Sequence, residues 1–167
     1  AVDWWARFTF EESDELIVEG CPDDFKGSNN LVVQAFYTTC DYLRLEYPTF
    51  KLTIDTDIPF ARGLGSSSTC VVAGILACDA WFKKNMDKME ILKIATSIEG
   101  HPDNVAPAIF GQATACFMEK EDVRMSLVNC ADYYCMAIVP GYEVKTSQAR
   151  KVLPTGMAFK DCVSQVS

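Results

Sequence analysis

The chain has 167 residues, 49% of them hydrophobic, which is enough for one domain of ordinary size with its own core. Its net charge of -8 argues against a nucleic-acid partner held on a basic face, and its most apolar run, residues 71–82, is too short to cross a bilayer. Eight cysteines with no C-x-x-C pair, several of them in apolar periodic segments, read as small core residues of a reducing cytoplasm rather than as zinc ligands or a disulfide framework.

In chain order, residues 4–11 and 15–19 read as two strands paired around Ser13-Asp14, and residues 30–47 as a helix ended by Pro48. Residues 50–55 alternate as a half-buried strand does, running on to Asp57. Residues 69–82 are apolar with small residues interspersed, which suits a buried helix. Helices are predicted at 88–98 and shortly after Asn104, then strands at 112–117, 123–128 and 133–139. Pro140-Gly141 ends the last strand, ahead of a helix near 147–152.

Between the strand that ends at Asp57 and the helix that begins at Thr69 lies Pro59-Phe60-Ala61-Arg62-Gly63-Leu64-Gly65-Ser66-Ser67-Ser68. Two glycines let a backbone come close to a ligand, and the exposed N–H groups at a helix start, with the positive end of the macrodipole, favour an anion. That places phosphate here. The plainer reading is a strand-to-helix turn with a serine N-cap, which accounts for the same residues with no ligand. Neither a Walker loop nor a dinucleotide fingerprint fits, since no Gly-Lys-Ser or Gly-Lys-Thr follows and no third glycine completes the pattern.

A second concentration of polar chemistry is Glu99-Gly100-His101-Pro102-Asp103-Asn104, which holds two carboxylates, the single histidine and an amide. Gly100 and Pro102 break helices, so these side chains are expected on a turn between two helices, where binding groups are common. Each has a structural alternative: a satisfied histidine at His101, helix caps at Asp103 and Asn104, a solvated Glu99.

With Pro59, the Gly63-Leu64-Gly65-Ser66-Ser67-Ser68 loop resembles the ATP-binding motif of the GHMP kinases, although that family usually has alanines where Ser68 and Thr69 stand. The segment 97–111 resembles the homoserine kinase signature around His-x-Asp-Asn-Val-Ala-Pro, and residues 144–154 resemble a later stretch of the same group. The three blocks also follow in the family's order. The resemblance implies transfer of the ATP γ-phosphoryl group to the hydroxyl of L-homoserine, with Mg2+ as cofactor and a homodimer as a permitted assembly. It implies that Pro59, Arg62, Gly63, Leu64, Gly65, Ser66, Ser67 and Ser68 bind the nucleotide. It further implies that Ser67 and Glu99 contact the metal, and that His101, Asp103, Asn104 and Arg150 face the substrate. Thr146 points to the same site, and Asn104 positions the acceptor hydroxyl; no residue is assigned obligatory proton abstraction, because a loose transition state asks little of a base. Asn30 lines the adenine pocket in such relatives, while an N-cap role explains it more simply. The alternative for Arg150 is a solvated helix face.

The fold expected from the resemblance is α/β (α+β): a nucleotide lobe like domain 2 of ribosomal protein S5 at 1–121, then the start of a ferredoxin-like lobe at 122–167, with passage between them at 119–122. The chain reads as an internal piece of a longer enzyme, which leaves two other functions open: a kinase of the mevalonate type, or a fragment that binds nucleotide without turnover.

Overall fold

A computed structural model describes residues 4–60, 62–120, 122–130, 134, 136–139, 141, 151–152, 154 and 156–166. Three strands form the first sheet: β1 (Ala6–Glu12), β2 (Ile17–Glu19) and β3 (Phe50–Thr56). Four helices follow the sheet or cross over it: α1 (Leu31–Leu43), α2 (Ser66–Phe82), α3 (Lys88–Glu99) and α4 (Val105–Phe110). A hairpin of β4 (Ala113–Glu119) and β5 (Asp122–Val128) comes next, and α5 (Phe159–Val166) lies near the end.

The sheet order is β1-β3-β2, with β3 antiparallel to β1 and parallel to β2. This corrects the pairing of β1 with β2 around Ser13-Asp14. A short link invites a hairpin, but β3 buries Phe50, Leu52 and Ile54 and so takes the central position, where apolar neighbours flank it on both sides. The link between β1 and β2 passes the edge of β3 instead, and Thr49 Oγ1 donates to Ser13 O at 2.6 Å.

Helix α1 starts at Asn30, whose side chain accepts from Val32 N at 2.9 Å. It ends well before Pro48. Arg44 adopts a left-handed conformation (φ 56), and Leu45 N donates to Cys40 O at 2.8 Å, which closes the helix as a glycine normally does. Helix α2 is apolar around most of its girth, because Val71, Val72 and Ile75 face α3 and α4 while Cys78 faces the sheet and α1. It is shared by the two halves of the core, as is α1, which places Ala35 in one and Val32, Val33, Phe36 and Cys40 in the other.

Gly74 makes that arrangement possible. A Cβ there would lie 2.3 Å from Val32 O and 2.8 Å from the Ala35 Cβ, so α1 and α2 cross in near backbone contact.

Of the cysteines, Cys40 and Cys78 are buried, with their sulfurs 3.6 Å apart across the α1–α2 interface. Burial pushes the Cys70 thiol up to about 11, and it raises both Cys40 and Cys78, so these three stay protonated at neutral pH and pack as small apolar groups. Cys130 and Cys162 differ from the core reading: both are exposed. Cys135 lies outside the described residues.

Where passage between lobes is expected, at 119–122, Glu119 pairs with Asp122 at the end of the β4–β5 hairpin. Val123, just beyond it, is buried in the same cluster as α2, α3 and α4. The described residues of the strand expected at 133–139 carry no regular structure, and most of the helix expected at 147–152 lies outside the described residues.

Candidate active site

Strand β3 runs through Ile58 and Pro59 into the glycine turn, and α2 begins at Ser66, three residues earlier than its apolar periodicity suggests. The serines therefore belong to the first helical turn. The N-cap is Gly65, at φ 77, and no side chain caps the helix. The serine-cap reading is thus not what the chain does: the first intrahelical bond is Thr69 N to Gly65 O at 2.9 Å, which leaves the N–H groups of Ser66, Ser67 and Ser68 ahead of it.

The glycines of this turn are required by conformation and not by packing. Gly63 and Gly65 have φ of 72 and 77, and a Cβ built on either would meet nothing within 4 Å. At Gly74 the reverse holds, since neighbouring backbone fills the space. The turn at 63–65 is open backbone above a helix N-terminus, the arrangement that suits phosphate oxygens.

Glu99 comes to this turn from α3. Asp87 caps the start of α3 by accepting from Glu90 N at 2.8 Å, and Gly100, left-handed at φ 85, ends it, so Glu99 is the last helical residue rather than part of the following turn. A carboxylate at a helix C-terminus opposes that helix's own dipole. The N-terminus of α2 compensates: Ser67 Oγ donates to Glu99 Oε2 at 3.2 Å, and Ser68 Oγ donates to Glu99 Oε1 at 3.0 Å. Ser67 is exposed, whereas Ser68 is only 1% exposed.

The next turn places His101 against Asp103, with Nδ1 facing the carboxylate and the imidazole largely covered. Asn104 begins α4, yet its side chain makes no capping bond and is exposed. It lines a cavity of about 520 Å³ together with Gly63, Leu64, Gly65 and Thr69. Trp4, Trp5 and Ile58 line it as well. The first turn of α2 thus contributes to the cavity through Gly65 and Thr69 and holds Glu99 through Ser67 and Ser68.

The remaining expected site residues lie as follows. Asn30 is buried and engaged in structure, for besides capping α1 it donates from Nδ2 to Phe25 O at 3.0 Å. Pro59 is half-buried, and Arg62 Nη1 donates to Phe60 O at 3.2 Å. Thr146 and Arg150 lie outside the described residues. Trp4 and Trp5, which in the sequence open the first strand, line the cavity as well; two adjacent indoles at the head of an alternating segment are the signal that marks them.

Comparison with known proteins gives three findings. Residues 30–112 match the family model "GHMP kinases N terminal domain". The chain is 38% identical to the homoserine kinase of Clostridium botulinum (strain ATCC 19397 / Type A) over 169 residues, which is 99% of this chain and 57% of that protein. A provisionally named homoserine kinase from Listeria monocytogenes has the same fold at a TM-score of 0.78 and 29% identity, over 97% of this chain and 55% of that one. The mevalonate kinase of Methanococcus jannaschii, at a TM-score of 0.60 and 21% identity over 77% of this chain and 47% of that one, shares the fold alone. The chain spans a little over half the length of the curated relatives it matches.

Proposed function

We propose that the chain, whose residues 30–112 match the GHMP kinase N-terminal domain model and which is 38% identical to a homoserine kinase, serves transfer of the γ-phosphoryl group of ATP to the side-chain hydroxyl of L-homoserine. The product is O-phospho-L-homoserine, on the way to threonine, made in the cytoplasm. The observation that carries this reading is the pair of serine hydroxyls on Glu99 beside an uncovered glycine turn.

In this reading the N–H groups of Ser66, Ser67 and Ser68, with the α2 dipole behind them, hold the phosphates. The exposed Ser67 hydroxyl and Glu99 Oε2 suit a hard cation such as Mg2+, which prefers oxygen ligands and takes the rest of its shell from phosphate and water. Among the described residues no group of three or more His, Cys, Asp or Glu side chains could hold a metal. Bound there, the ion would neutralise charge on the transferring group.

Asn104 is free of capping duty, so its amide can orient the acceptor hydroxyl from the cavity wall. His101, aligned by Asp103, offers a polar partner to the amino acid, and Arg150 would take the α-carboxylate through its planar fork. We assign Asn30 to shaping the nucleotide lobe through its N-cap, and Thr146 to the acceptor side. The lobe division at 121/122 is kept, with the β4–β5 hairpin bridging it.

The test compares acceptors. With ATP and magnesium, homoserine is expected to drive ADP release at least about tenfold faster than mevalonate, as expected of a site built to pair a polar ammonium and carboxylate. Equal rates would remove the amino-acid assignment. Binding of magnesium nucleotide with no ADP release from either acceptor would favour a passive binder.

A further inference from the structure

We propose that the Ser68 side chain has a positioning role: its hydroxyl fixes the Glu99 carboxylate and does not touch the nucleotide, whatever its backbone N–H does; the proposal rests on the phosphate-site reading above. Two neighbouring serines donate to the two oxygens of one carboxylate, but their surroundings differ. Ser67 is exposed, and its hydroxyl can exchange Glu99 for another partner. Ser68 is 1% exposed and donates to Glu99 Oε1 at 3.0 Å, so no phosphate can reach its hydroxyl while the helices keep this packing.

The division of labour follows from the geometry. Glu99 has three side-chain torsions and sits at the end of α3, where the dipole disfavours its charge. A glutamate left to itself there would spread over several rotamers, and ordering it costs side-chain entropy. The buried bond from Ser68 selects one rotamer, in which Oε1 is occupied and Oε2 faces the exposed Ser67. One oxygen is thereby fixed and the other left available on the side of the open glycine turn. Groups that orient a metal-binding carboxylate in this way contribute to affinity without touching the metal.

The experiment is calorimetric titration of the protein with a non-hydrolysable ATP analogue, once with excess magnesium and once with EDTA. Ser68→Ala is expected to weaken binding of the magnesium form about tenfold and to leave binding of the metal-free form within about twofold. Ser68→Cys, close in volume but a weak donor, should behave in the same way and guards against a packing defect in the alanine variant. In a Glu99→Gln background, Ser68→Ala should add less than about twofold, because both changes remove one function.

Equal weakening of both forms by Ser68→Ala would show a direct phosphate contact and overturn the proposal, as would no effect on either form or full additivity with Glu99→Gln. Failure of the unmodified protein to bind either form would instead remove the phosphate site itself, and the proposal with it.

Discussion

Exchanging Glu99 for glutamine is expected to lower kcat for phosphoryl transfer at least about a hundredfold while the protein stays folded. The amide is nearly the same size and keeps one oxygen to accept from a serine, so the α2–α3 contact survives in part. What disappears is the negative charge. A neutral amide is a poor ligand for a hard cation, and removal of one preorganised electrostatic group from a transfer site typically costs two to three orders of magnitude.

Stability should move little, because two effects oppose each other. Losing a charge-assisted hydrogen bond costs about 1.5–3 kcal/mol at most, and less at this half-buried site. Removing a negative charge from the C-terminus of α3 returns about 0.3–1 kcal/mol. A melting temperature within a few degrees of the unmodified protein, together with the fall in kcat, is the expected pair of results. A variant that retains more than about a tenth of the activity would show that Glu99 is not at the reacting phosphate.

The second large effect is on the fold. Gly74→Ala places a better helix former in the middle of α2, and intrinsic propensity alone predicts a gain of about 1 kcal/mol. Packing opposes this. The new methyl would sit 2.3 Å from a carbonyl oxygen of α1, and the obstacle is backbone, which cannot swing aside as a side-chain tip does. Separating α1 from α2 would loosen the contact between the two halves of the core, at a cost of about 1–3 kcal/mol or more. The net expectation is destabilisation, read as a lower denaturant midpoint at unchanged m-value. A rise in the midpoint would mean that the helices are less closely packed than the 2.3 Å separation implies.

How much of this was readable in the residues depends on whether the deciding forces are local. The glycine turn at 63–65 was legible because positive φ and an uncovered backbone call for glycine, and the start of a helix exposes its own N–H groups. Gly100 and Pro102 likewise marked the end of α3 to within one residue. The overrun of α1 toward Pro48 came from Arg44, a non-glycine residue closing the helix in the left-handed conformation, which no simple pattern announces.

The order of the first sheet depended on contacts across more than thirty residues. A four-residue link at 13–16 argues locally for a hairpin, and only the burial of β3 against α1 and α2 decides otherwise. In the site, Ser67 and Glu99, which the resemblance places at one metal, lie within hydrogen-bond distance of each other. The burial of Ser68 was not legible, because whether a hydroxyl in a run of three serines faces outward or inward depends on the pitch of α2 against α3. The same limit applied to Asn104, whose freedom from capping follows from its helical backbone conformation (φ -104, ψ -34).

Amide hydrogen exchange, measured with and without the magnesium complex of a non-hydrolysable ATP analogue, tests the central claim most directly. The N–H groups of residues 63–68 precede the first intrahelical bond of α2, so they should exchange quickly in the free protein and slow at least about tenfold when phosphates accept from them. Protection should also extend to the end of α3 around Glu99. Unchanged exchange at 63–68 under saturating nucleotide, with protection elsewhere, would contradict the account.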